Sequence, residues 1–140
     1  MKTIKMISLL FIVAIMGISC SGQSNKSENT SKNTSLEKDE DVHVYYFHNT
    51  RRCATCKAVE SESKNAVEEL YGEKVAFTAY NLEKAKGEQK AEELGVSGQT
   101  LLIVSGDKKI NITNEGFMNA RSNPDKLKQI IKGNIDPLID

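Results

Sequence analysis

Two cysteines three residues apart, in Cys53-Ala54-Thr55-Cys56, are the side chains of this 140-residue sequence whose type and spacing could do chemistry. A thiolate attacks disulfides and also binds soft metals, and two thiols within one helical turn could do either. As a structural staple the pair is poor, because a bridge closing so short a loop removes little chain entropy. A closed zinc site wants four ligands. Apart from Cys20, far up the chain, there are only these two cysteines and two histidines. His43 and His48 lie on or beside one β-branched, aromatic stretch at an odd separation, so they point to opposite faces and cannot both reach the thiols. A structural zinc within one chain is therefore disfavoured. No resident metal or cofactor is expected, and Cys53 with Cys56 would be the ligands if one bound.

The elements around the pair decide its reactivity. Val42-His43-Val44-Tyr45-Tyr46-Phe47-His48 reads as a buried strand, and Cys53 follows it after a polar loop. From Ala54, Val59, Ala66, Val67 and Leu70 fall at helical spacing until Gly72. Cys53 is thus expected at or just before a helix N-terminus, where unpaired N–H groups and the macrodipole favour an anion. Arg51 and Arg52 add positive charge, and all three should lower the Cys53 pKa. Arg52 also suggests an anionic or polar partner surface. His48 is a candidate proton carrier near the thiols.

Further along, Val75–Asn81 alternates like a second strand. Residues 83–94 form a Lys/Glu/Ala-rich helix that ends at Gly95, with Gly87 as its weak point. Thr100–Val104 is a short apolar strand, and Gly106-Asp107 turns the chain into Lys109–Thr113 as a hairpin. The last helix opens with Asn123 as N-cap and Pro124 at its first position, burying Leu127, Ile130 and Ile131. The order is β-α-β-α-β-β-α, with no internal repeat.

The N-terminus reads as an export signal. Lys2 and Lys5 precede an almost unbroken apolar run from Met6 to Ile18. That run is too short to span a bilayer as a helix, which takes about 20 residues. It fits the apolar region of a secretory signal peptide. Gly17-Ile18-Ser19-Cys20 resembles the lipobox of bacterial lipoproteins, with Gly17 where leucine is usual. The resemblance implies a signal peptide over residues 1–19 and lipid on Cys20. An uncleaved anchor, or an ordinary signal peptide with Cys20 as a leftover thiol, are the alternatives. Ser21–Asp41 contains one large apolar side chain, Leu36, and cannot bury enough surface to order itself. Residues 20–41 thus read as lipidated cysteine plus tether, and 42–140 as one folded domain. The 19 basic and 19 acidic residues give a formal net charge of +0, with no clustered basic surface. Nucleic acid is not an expected partner.

Cys-x-x-Cys directly after the first strand and at the start of the first helix, within this element order, resembles the thioredoxin superfamily over the whole folded part. The resemblance implies an α/β, three-layer fold around a central four-stranded mixed sheet, with Cys53 as nucleophile and Cys56 as resolving thiol. Two departures stand out. The family carries a cis-proline facing the dithiol, but the only prolines here are Pro124 and Pro137. Gly98-Gln99-Thr100 occupies that position as the substrate-facing loop, with Gln99 in place of proline. The acid usually buried beneath the dithiol is also missing, its strand being filled by Tyr45, Tyr46 and Phe47.

The string from Tyr46 to Cys56, with Gly98-Gln99-Thr100, resembles a narrower group: small thioredoxin-like lipoproteins linked to arsenic-resistance gene clusters (the ArsF-type group). Two functions follow as expectations. One is a tethered thiol-disulfide oxidoreductase acting on a protein dithiol or disulfide in the cell envelope, monomeric and held to a membrane through Cys20, facing the periplasm or exterior. The other is a module that captures a soft metal or arsenite through the same two thiolates.

Overall fold

The computed structural model describes residues 41–140. The expected signal peptide (residues 1–19), Cys20 and nearly all of the expected tether lie outside the described residues. Strand β1 spans His43–His48 and leads through a short loop into helix α1, Ala54–Tyr71. A single 3-10 turn, Gly72–Lys74, precedes β2, Ala76–Asn81, and then α2, Ala85–Leu94. Strands β3 (Thr100–Ser105) and β4 (Lys108–Asn111) form a hairpin, followed by α3 (Thr113–Asn119) and α4 (Pro124–Ile139).

The four strands make one mixed sheet in the order β2-β1-β3-β4. β1 runs parallel to β2 and antiparallel to β3, with Phe47 opposite Tyr80 on one side and Thr100 on the other. β4 closes the far edge antiparallel to β3. This is the thioredoxin-like arrangement expected from the sequence.

Alternation along β1 builds both faces. Val44 and Tyr46 join the larger core with Val59 and Val67 of α1, Leu101 and Ile103 of β3, and Leu127, Ile131 and Ile135 of α4. Tyr45 and Phe47 turn the other way, onto Ala91 of α2 and a smaller cluster around Tyr80, Leu82 and Leu94. Three helices thus cover one face of the sheet and α2 the other. His43 stacks on Tyr45 and His48 lies against Tyr46, so the two histidines do face opposite sides.

The structure corrects four sequence-based expectations. The second hairpin strand stops at Asn111, because Thr113 already begins α3. That helix was not expected. Its seven residues are too few to display a period, and tertiary contact makes it: Gly116 packs so closely that a Cβ would meet Leu101 at 3.1 Å and Val59 at 3.4 Å. Gly87, read as a weak point, is instead a required one. A Cβ there would stand 2.0 Å from the Asn81 carbonyl oxygen, so only glycine lets α2 pass the end of β2. On α4's buried face Leu127 and Ile131 are buried as expected, Ile130 is only half-buried, and Ile135 extends the stripe beyond the residues anticipated.

Candidate functional site

Cys53 is the N-cap of α1, with extended backbone (φ −73, ψ 170). Its sulfur accepts a hydrogen bond from the Cys56 N–H at 3.3 Å, and its carbonyl accepts from the Lys57 N–H at 3.1 Å. Both cysteines are free; Cys53 is exposed and Cys56 buried. The sulfurs are in direct contact, 2.6 Å apart, and either could be the donor to the other. Hydrogen bonding from the Cys56 thiol, then from backbone N–H groups of the first turn, pulls the Cys53 thiol below its ordinary pKa. The same contact, followed by burial, pushes Cys56 up. One sulfur is thus prepared as an outward-facing thiolate, and the other keeps its proton underneath it.

The leading causes of the lowered Cys53 pKa are the hydrogen bonds from Cys56 and the first turn of α1, not the two arginines. The Arg52 guanidinium pairs with Glu60, one turn beyond Cys56, while Arg51 is exposed. His48 is nearly buried, and its Nδ1–H donates to the Asn49 carbonyl at 2.9 Å. Its ring packs against Tyr46, 5.8 Å between centroids. No hydrogen bond joins His48 to either sulfur among the described residues. Gly98 and Gln99 lead into β3, where Thr100 sits opposite Phe47 at the end of the sheet from which the dithiol loop departs. The Thr100 hydroxyl donates to the Gly98 carbonyl at 3.0 Å, and the Leu101 N–H to Thr113 Oγ1 at 2.9 Å. These bonds fix the backbone where Gly98 and Gln99 enter β3.

Two features went unread in the sequence. The buried Tyr46 hydroxyl donates to the Cys56 carbonyl at 3.1 Å, tying β1 to the first turn of α1. Desolvation and the neighbouring Cys56 push its pKa up to about 12, so it stays a neutral donor. Its position on the strand face shared with Val44 was a usable signal, since a buried tyrosine usually finds a partner for its hydroxyl. The other feature braces the loop ahead of the dithiol. The Thr50 N–H donates to the Glu83 carboxylate at 3.2 Å, and the Asn81 amide donates to the Thr50 hydroxyl at 3.0 Å. The Leu82 N–H reaches the His48 carbonyl at 2.8 Å.

Among the described residues, no three His, Cys, Asp or Glu side chains gather as a metal site. No described helix is long and apolar enough to cross a membrane.

No family model and no curated protein matches the sequence. Several solved structures are similar in shape. Thioredoxin O2 from Arabidopsis thaliana, in its oxidized state, is 18% identical over 67% of this chain and 75% of that one, with a TM-score of 0.49. Thioredoxin f2 from Chlamydomonas reinhardtii is 19% identical, covering 70% and 82%, at a TM-score of 0.48. A malarial protein is 19% identical, covering 63% and 94%, at 0.44.

Proposed function

We propose that this chain is a thiol-disulfide oxidoreductase tethered to a membrane of the cell envelope. The observation that carries the reading is the asymmetric thiol pair: exposed Cys53, lowered in pKa at a helix N-terminus, 2.6 Å from buried, raised Cys56. In the forward direction the Cys53 thiolate attacks one sulfur of a partner disulfide, and the other sulfur leaves as a thiolate. Cys56 then gives up its proton and attacks Cys53, releasing the second partner thiolate. Two electrons pass to the partner, and its thiolates take up the proton. Run backward, the same steps oxidise a partner dithiol. Tyr46 holds the Cys56 carbonyl throughout and is too weak an acid to act as the base.

The tether rests on the sequence: Lys2, Lys5, the apolar run to Ile18, and Cys20 after small residues. Incorporation of labelled palmitate that disappears in Cys20→Ala supports this part; undiminished label in that variant removes it.

The central test is the reduction potential of the pair, by equilibration with glutathione and dithiothreitol. A reversible two-electron couple between roughly −120 and −270 mV supports exchange and sets its direction. In cells, Cys56→Ser should accumulate a mixed disulfide through Cys53. If no reversible couple exists and arsenite at micromolar levels blocks oxidation, the two thiolates are instead a metalloid ligand pair. That outcome would fit the resemblance to arsenic-linked lipoproteins.

A further inference from the structure

Directly beside the dithiol, a groove of about 300 Å³ runs along α1, lined by Arg52, Lys57, Glu60, Ser61, Lys64 and Asn65. Lys57, Ser61, Lys64 and Asn65 recur at the spacing of one helix face, beginning one turn from Cys53. The charges along this path do not cancel. Glu60 is taken up by Arg52. Lys64 is held only loosely by Glu68, at 3.7 Å with both side chains more than half exposed. Lys57 and Arg51 are exposed and have no ion-pair partner among the described residues. Glu83 keeps its negative charge beside Thr50, but it does not line the groove. A positive path therefore leads away from the exposed sulfur.

We propose that the partner disulfide belongs to an acidic peptide segment, whose carboxylates lie along Lys57 and Lys64 with Arg51 on the other flank of the sulfur. The inference rests on the exchange reading. A chain whose sulfur meets Cys53 brings its neighbouring residues within reach of this end of α1 as well as of the Gly98–Thr100 loop, so the groove is open to what is covalently attached to the reacting disulfide. Two turns of helix separate Lys57 from Lys64, about 10 Å, which is the span of three residues of extended peptide. Carboxylates two or four residues apart, which share one face of an extended peptide, would reach both ammonium groups. Ser61 and Asn65 between and beside them supply hydrogen bonds to the peptide backbone.

Two small disulfides of opposite charge test this on the purified full chain in neutral detergent. Oxidised glutathione is a peptide disulfide of net negative charge, and cystamine carries two ammonium groups. The ratio of their rates with the reduced protein, divided by the same ratio for dithiothreitol, removes their intrinsic reactivity. The expected quotient at low salt is about tenfold in favour of glutathione, within the range of electrostatic steering. It should collapse toward unity in about 0.5 M sodium chloride. It should also collapse at low salt in the triple variant Arg51→Gln, Lys57→Gln, Lys64→Gln. A quotient near one in the unaltered protein, or one that the triple variant leaves standing, overturns the inference and leaves exchange intact. If neither disulfide oxidises the protein, the exchange reading fails and this inference with it.

Discussion

The N-termini of α1 and α4 share a capping geometry and differ in chemistry. In α4, Asn123 accepts a hydrogen bond from the Lys126 N–H at 3.1 Å, Pro124 occupies the first position, and Asp125 puts a carboxylate in the first turn. In α1, Cys53 accepts from the Cys56 N–H at 3.3 Å, and the first turn holds no acid. Both caps satisfy a donor that the helix itself cannot. The α4 cap is a permanent oxygen next to a permanent negative charge, so the positive end of that helix is occupied. The α1 cap is a sulfur that must leave its donor whenever it bonds to something else, and nothing nearby competes with its charge. The same backbone geometry serves folding at one helix and reactivity at the other.

Replacing the α1 cap by a better one should separate these uses most sharply. Cys53→Ser keeps a side chain that caps well, so stability in urea should stay within about 0.5 kcal/mol. Disulfide exchange should fall by about a thousandfold or more, as expected when a nucleophile is removed. Helix α2 is the control that has neither device: Lys84 contributes no side-chain cap, and the helix begins where Gly87 passes the Asn81 carbonyl. Gly87→Ala should lower stability by about 2 kcal/mol through overpacking, although alanine is the better helix former by about 1 kcal/mol. A gain in urea stability would show that α2 is free to move away from β2.

Asn123→Ala should cost about 1 kcal/mol in urea and leave the exchange rate within about twofold. A large loss of exchange there would mean that the two helix ends are coupled. The smallest effect comes from giving α1 the acid that α4 carries at the same position. Thr55→Asp should raise the Cys53 pKa and slow its alkylation by iodoacetamide about two- to threefold at neutral pH. In the unaltered protein, alkylation of Cys53 should rise with pH through a midpoint below that of free cysteine, because its folded pKa is lowered. Cys56, shifted the other way, should stay unreactive over that range. A midpoint at or above that of free cysteine contradicts the capping account.

What could be read from the sequence follows from how local each signal is. The strand before Cys53, the helix after it, and the Asn123-Pro124 start of α4 are written in adjacent residues, and the structure has all three. Helix α3 was invisible because it is short, its N-cap Ile112 makes no side-chain bond, and Gly116 earns its place only against Leu101 and Val59. Gly87 looked costly because propensity counts the helix alone and not the carbonyl across from it. At the site, the two thiols were legible from spacing. The use of Arg52 was not, since Glu60, eight residues on, takes up its guanidinium. Nor was the hydroxyl of Tyr46, whose partner is a backbone oxygen on another element.

The bracing of the loop ahead of Cys53 bears on how the sulfur meets a partner. Thr50 is held by both Asn81 and Glu83, and the Leu82 N–H is held by His48. A loop tied at its middle and its start surrenders little conformational freedom when a second molecule settles against it, so little affinity is lost to ordering. The Thr50 and Leu82 amides should accordingly exchange with deuterium slowly for loop positions, and at the same rate before and after a mixed disulfide forms.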